Sequence, residues 1–566
     1  MSARDGGRVS AGDGGQVSAP ATGRPGHAVP PPAPLAPAAR ARVWLRAYGH
    51  HLRLLRAAAI TWIVVLAGVG AGVVHTFEDR VGTEAERRAL EAMEGVPVFE
   101  LLSGRYVQIG AVEGFTLSRW GMFALGVAVW GVTAGVGLLR GAEDAGHVEP
   151  LRVGLITPRA LFVAALAALL TTHAIFAVAI GLGHSKAGMD GATAWALGAS
   201  MGLLATSFAL AGALASQVAA SRSRALALAA IVFALALALR FAAAAGGTPD
   251  WFWWTTPFGW VGHLHAVDEA RAQVVLAFLS LITVLLMPAL WLARRDLHAG
   301  LVSAEARRQP RASPRDHVAL ARHLATGPTA AWSAAAAALA LLFGLLVSDF
   351  LAAMAGLPTS VQFLEQLGWL ELDTAEGTLA MVFMFPTLLL ALFAATHAAA
   401  IREEEASWRI EHLLARPLGR TRWLLTKAFT AALSMVVVAL CAAFAAWLGT
   451  LLSGTALAPG AALLMALNLM PLGLLILGIG VGLLGLAPRL TAPVTFGVVV
   501  VAFLLDFIGP LLNLHEAILD LSPFRHLAAV PAEPIALGPA LVLLAIGVGA
   551  AALGLLAFRH RDLQAG

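Results

Sequence analysis

Apolar runs follow one another along almost the whole chain, separated by short polar connections. They fall at about residues 57–77, 115–139, 160–182, 192–219, 224–246 and 272–293, and again at about 330–352, 377–400, 423–450, 460–486, 490–513 and 535–558. A helix needs roughly 20 apolar residues to cross the hydrocarbon core of a bilayer, and each run reaches that length. A membrane barrel would show short alternating segments instead. The pattern therefore predicts an all-α integral membrane protein with twelve transmembrane helices. The polar hinges at 221–223 and 488–489 are the faintest separations between neighbouring helices.

Residues 1–38, built of Gly, Pro, Ala and Ser with scattered charge, read as a disordered tail without the apolar stretch a signal peptide requires. In 39–56, Trp44, Leu45, Tyr48, Leu52 and Leu55 recur at helical spacing among Arg42, Arg46, Arg53 and Arg56. That pattern suits an amphipathic helix lying in the membrane interface. Residues 57–300 then form a first six-helix unit, 301–328 a polar linker with an interfacial segment, and 329–566 a second unit.

Composition agrees with a lipid-facing surface. Of 566 residues, 59% are apolar and 13% charged, and the mean hydropathy is +0.78; a soluble domain carries about 25% charged residues. With the N-terminus placed in the cytoplasm, the cytoplasmic segments hold 29 of the 38 Arg and Lys but 13 of the 34 Asp and Glu. This basic excess predicts that both termini are cytoplasmic, and the dominance of Arg and Ala, with Lys186 and Lys427 the only lysines, points to a bacterial gene and so to a bacterial inner (plasma) membrane. Because the arginines are spread over short loops between lipid-soluble helices, the net charge of +4 is no nucleic-acid footprint. The single Cys441 excludes an intramolecular disulfide and a four-thiolate metal site.

The chain repeats itself. Arg295, Asp296, Leu297, Ala299 and Gly300 return as Arg561, Asp562, Leu563, Ala565 and Gly566 at an offset of 266, and Pro257 and Phe258 return as Pro523 and Phe524. Ala92, Met93, Gly95 and Pro97 return as Ala353, Met354, Gly356 and Pro358 at 261. Arg140, Glu143, Glu149 and Leu151 return as Arg402, Glu405, Glu411 and Leu413 at 262. An even number of spans per copy makes the repeats parallel, related by an axis along the membrane normal, with the natural pathway between them.

The connections after the second and eighth spans are the most charged cytoplasmic segments. Arg140, Glu143, Glu149 and Arg152 mark the first; Arg402, Glu405, Arg409 and Glu411 mark the second. The spacings Glu143 to His147 and Glu405 to Arg409 suit i,i+4 pairs on a short surface helix. Two six-span units, these connections, the Pro-Phe near the end of each unit and the closing Arg-Asp-Leu-x-Ala-Gly together resemble the fused, full-length permeases of the ABC-2 exporter class. The closest likeness is to the actinobacterial exporters of polyketide antibiotics, similar to tetronasin-resistance permeases, and it extends over about residues 40–566.

The resemblance implies an ABC-2, type V-like transmembrane fold. It also implies that 140–159 and 402–422 dock on two copies of a separate ATP-binding-cassette subunit, which binds the ATP and Mg²⁺. No G-x-x-x-x-G-K-[ST] motif occurs in this chain, so any hydrolysis belongs to a partner and the chain is no enzyme. The first connection departs from the second, with Gly141 and Ala142 where the second has Glu403 and Glu404. The implied cargo is an amphipathic, drug-like small molecule. An ion-coupled secondary multidrug transporter and a non-transporting membrane scaffold remain open as alternatives.

Ionisable residues inside spans are costly and default to functional roles. Arg240 in the fifth span and Asp506 in the eleventh stand 266 apart, at matching positions of the two copies. Two readings are open for them: an ion pair across the pseudo-two-fold axis that closes an outer gate, or separate snorkelling to the headgroups. His173 and His397 read as packed histidines, and Pro288, Pro386, Pro471 and Pro493 as sources of kinks. Residues 78–112 and 353–376 suit short amphipathic helices at the outer rim, and Trp251, Trp253, Trp254 and Trp260 an aromatic belt.

Overall fold

In the computed structural model, the residues that can be described are 37–96, 99–100, 103–105, 108–144, 146, 156–244, 249–266, 271–293, 316–356, 373–415, 417–455, 457–510, 512 and 514–563. Among them every regular element is helical, and twelve helices are long and apolar enough to cross a membrane. In the first half these are α1 (Pro37–Arg80), α2 (Val112–Asp144), α3 (Pro158–Lys186), α4 (Gly191–Val218), α5 (Arg222–Ala244) and α6 (Arg271–Leu292). The second half supplies α7 (His317–Ala355), α8 (Ala375–Ala406), α9 (Arg420–Leu452), α10 (Pro459–Leu486), α11 (Pro488–Ile508) and α12 (Leu537–His560). Each expected apolar run has its helix, and the faint separations α4/α5 and α10/α11 are real breaks at Ala219 and Ala487.

The two halves pack their helices in the same pairs. α1 lies on α3 as α7 lies on α9; α2 lies on α4 as α8 on α10; and α4 gathers α3, α5 and α6 as α10 gathers α9, α11 and α12. The most apolar stretch is 83% buried in α4 and 72% in α10, against 17% in α6 and 22% in α12. So α4 and α10 are the hubs, and α6 and α12 expose their sides to lipid. Within lipid, apolar burial does not drive helices together, and close backbone approach does that work. A Cβ added at Gly478 or Gly485 of α10 would fall on the carbonyl oxygens of Gly547 or Gly554 of α12. Gly344 of α7 and Gly449 of α9 face each other, with a Cβ on Gly449 meeting the Gly344 Cα at 2.8 Å.

The structure departs from the sequence pattern at the entry to each half. The segment 39–56 is continuous with the first span as one 44-residue helix, and α7 likewise runs on from His317 through 39 residues. The first extension has a partner: Ala47 packs on Leu161 and Ala164 of α3, and the Tyr48 hydroxyl donates to the Thr171 hydroxyl at 3.0 Å. A helix already paired with its neighbour has no reason to turn into the interface, and the arginines that suggested an interfacial helix sit on its unpaired side. Further along, α8 is interrupted at Phe383, three residues before Pro386, and a π-turn at Gly137–Gly141 interrupts α2.

The halves meet at the face reached by the C-terminal ends of α1 and α7, termed distal below. One core cluster there joins Val73, Phe77, Leu90 and Met93 of the first half to Val347, Phe350, Met354 and Leu379 of the second. The Phe99 and Phe350 rings meet edge-on at 5.8 Å, and Gly72 lies against Leu512. The short helix Glu84–Glu91, fixed by a capping box between Thr83 and Glu86, carries Leu90 into this seam. At the opposite, proximal face the clusters around Leu139 and Ile401 each draw on one half alone.

The glycine contacts make a prediction. Gly478→Leu forces α10 off α12 and costs on the order of 1–3 kcal/mol, read as a lower thermal midpoint of the purified protein. Gly549→Leu, on α12 but with nothing within 4 Å of its Cβ position, leaves that midpoint in place.

Candidate functional site

Between the halves, beneath the distal seam, lies a cavity of about 530 Å³. That is the size of a small-molecule site, for which roughly 300–1,000 Å³ is typical. Ser118, Arg119 and Met122 of α2, with Leu90, Met93 and Phe99 of the distal seam, are part of its first-half wall, and Met381, Phe385 and Phe507 of α8 and α11 are part of its second-half wall. Phe383, at the interruption of α8, is itself one of the lining residues. Phe385, Phe503 and Phe507 form one aromatic group, with centroids 5.7 to 6.3 Å apart. Asn468 of α10 also lines the space, its amide tied to the Ala528 carbonyl at 2.9 Å.

Arg240 and Asp506, for which both an ion pair and separate snorkelling are open, lie in different surroundings. Arg240 is fully buried within the first half, where its guanidinium donates to the Gly121 carbonyl at 2.8 Å and lies 5.8 Å from the Phe258 ring centre. Asp506 is half-buried and lines the cavity. No ion pair joins them among the described residues. The α2 backbone at Gly121 offers Arg240 an acceptor inside its own half.

A further pair of cavity charges escaped the sequence reading. Arg119 sits four residues inside the expected span 115–139, a position that by itself marks it as an intramembrane charge. Its guanidinium lies 4.5 Å from the Phe115 ring centre and donates to the Ser118 hydroxyl at 3.2 Å. Arg525 gave no such signal, because it follows the Pro-Phe of the second repeat in a polar loop. It also lines the cavity and holds Asp520 at 2.9 Å. Around the distal cap, burial pushes the Glu100 carboxyl above its usual range, against the pull of Arg105, which itself pairs with Asp250 at 2.9 Å.

The proximal residues fall into two groups. Arg140 and Glu143 form an i,i+3 pair at 2.6 Å, the arginine fully buried and also bonded to the Ala219 carbonyl at the end of α4. Their repeat partners Arg402 and Glu405 form the same i,i+3 pair at 3.1 Å. Glu405 is fully buried and is gripped bidentately by Arg561 at 2.6 and 2.7 Å, while Arg561 also donates to the Leu484 carbonyl at 2.8 Å. These four therefore hold helix ends together within each half. Lys427 of α9 pairs with Glu404 nearby.

Arg409 and Glu411 instead stand exposed on a short helix, Arg409–Leu414. The expected i,i+4 pair of Glu405 with Arg409 does not form, because the helix ends at Ala406 and the chain turns at Trp408 in the left-handed region, φ 58°. Ile410 pins this helix against Trp423 and Phe558, and the exposed Trp408, Arg409 and Glu411 project away from the bundle. Glu149, Arg152 and His147 lie outside the described residues. His173 contacts the Thr206 hydroxyl at 3.3 Å and the Trp130 ring, and His397 the Phe393 carbonyl at 3.2 Å.

Twelve apolar helices in two like-packed halves around a shared cavity define a multi-pass membrane permease. Residues 315–559 match the family model described as the C-terminal domain of the multidrug efflux system permease Rv1217c. The chain is also 30% identical over 530 residues to the multidrug efflux system permease protein Rv1217c of Mycobacterium tuberculosis (strain ATCC 25618 / H37Rv), a match covering 91% of this chain and 94% of that protein. The chain belongs to this family of multidrug efflux system permeases.

The two proximal groups separate by mutation. Glu405→Gln leaves Arg561 and Arg402 without their buried counter-charge and lowers stability by about 3–5 kcal/mol, as removal of one charge from a buried pair does; Arg409→Gln, on an exposed side chain, leaves the unfolding midpoint unmoved. Thermal or denaturant unfolding of the two purified variants checks both.

Proposed function

We propose that this chain is the membrane-spanning subunit of an ATP-driven exporter of the ABC-2 class, with a type V-like arrangement of two six-helix repeats. It moves amphipathic, drug-like compounds out of the cell. ATP and Mg²⁺ are bound by two copies of a separate ATP-binding-cassette subunit. The observation that carries this reading is the cavity itself: it lies between the halves, draws its walls from both and is lined mostly by apolar side chains, five phenylalanines and four methionines among them. Such a lining suits amphipathic compounds of varied shape better than sugars or small ions.

The helix Arg409–Leu414 supports docking of the partner on the proximal face. It is held rigidly from behind by Ile410 and presents Trp408, Arg409 and Glu411 outward. Movement of the partner would reach α8 through the turn at Trp408 and α12 through the Glu405–Arg561 clamp, since both join the same helix ends. A hinge of this kind lets nucleotide-driven motion change the separation of two halves that touch mainly at their distal ends. The basic excess on the proximal side supports a cytoplasmic orientation of that face, with the distal cap outside the plasma membrane.

In the assembled complex, amphipathic compounds stimulate ATP hydrolysis by the partner. The double reversal Arg409→Glu with Glu411→Arg removes that stimulation without lowering the unfolding midpoint of the permease. Efflux that persists with a hydrolysis-dead partner and collapses on addition of a protonophore would instead establish ion-coupled transport.

A further inference from the structure

We infer that Asp506 anchors the positive group of a lipophilic organic cation, so that cations are the preferred cargo class of the cavity. This rests on the reading of the cavity as the substrate site. A carboxylate within a membrane bundle normally has a partner, because leaving it unpaired in low dielectric is costly. Arg240, the residue at the matching repeat position, is engaged with Gly121 and Phe258 within the first half. Arg525 is the charge facing Asp506, yet its guanidinium is committed to Asp520 at 2.9 Å. Among the described residues, no hydrogen bond or ion pair reaches the Asp506 carboxylate.

Three features around that carboxylate favour a cation. Asp506 lies in the last turn of α11, where the free carbonyl ends of the helix add partial negative charge. Phe385 and Phe507 bring ring faces to the same wall, and aromatic faces attract organic cations. Met381, Met384 and Met122 complete an apolar surface that can reshape around different skeletons. On the opposite wall Arg119 is occupied by Phe115 and Ser118, so its charge is partly spent within α2. Of the four charged residues that line the cavity, Arg119 is held by Phe115 and Ser118, Arg525 is paired with Asp520 and Glu533 is exposed, which leaves Asp506 as the half-buried carboxylate on the aromatic wall.

Tetraphenylphosphonium and tetraphenylborate share shape and hydrophobicity and differ in sign. Equilibrium dialysis of each against the full-length permease in nanodiscs, with empty nanodiscs subtracted, separates charge recognition from partitioning. The expected result is saturable phosphonium binding that Asp506→Asn weakens by about tenfold or more, the size of effect a buried charge pair carries. Asp506→Glu retains binding, which shows that the loss is not misfolding. Asp520→Asn, which releases Arg525 toward Asp506, also weakens phosphonium binding.

Absence of saturable phosphonium binding overturns the inference, and so does an affinity unchanged in Asp506→Asn. Tighter binding of tetraphenylborate, abolished by Arg119→Gln, overturns it in favour of anionic cargo. Phosphonium that binds through Asp506 but never stimulates ATP hydrolysis in the assembled complex upholds the cation site and counts against the exporter reading instead.

Discussion

Charge placed inside a lipid-soluble bundle must find a partner or open onto water, and the architecture follows from how each such charge is handled. Arg240 is absorbed by a backbone carbonyl and a ring inside its own half. Arg140 and Arg402 are absorbed by acidic residues three positions on, at the helix ends where the chain leaves the bundle. Asp506 alone of the matched intramembrane pair faces the space between the halves. Since the charges at the helix ends are neutralised within each half, they stiffen each half as a unit and leave the boundary between the halves comparatively apolar.

That division explains how a doubled chain can act as a machine with two moving parts. Each half is knitted about its own hub, α4 or α10, by glycine contacts that bring backbones together. Between the halves the shared cluster is distal, built of Phe, Met, Leu and Val without an ion pair of its own among the described residues. Apolar side chains slide and repack at lower cost than buried charge pairs break. A distal apolar seam above a cavity, with proximal ends held separately, is the arrangement in which a proximal force can part the seam.

The fold was largely legible in the sequence, because membrane spans are fixed by length and apolarity, which local composition records. Duplication was legible too, since Arg140 with Glu143 and Arg402 with Glu405 kept both identity and spacing. The site was less so. Burial of Glu405 depends on Arg561, 156 residues away, and no local pattern announces that pairing. The proposed Arg240–Asp506 gate relied on symmetry alone, whereas the acceptor at Gly121 belongs to a neighbouring helix. Arg119 could have been found by the rule that picked out Arg240, but Arg525 and the break at Phe383 acquire meaning only when the halves are seen together.

The central claim is that compounds bind between the halves, at the cavity wall formed by α8 and α11. Its most direct test is a cysteine placed at Met381 in a Cys441→Ala background, labelled with a small maleimide. The account predicts labelling that a transported compound blocks in proportion to its occupancy, with no such protection at a lipid-facing cysteine such as Val548→Cys. Labelling at residue 381 that is indifferent to every transported compound would contradict it.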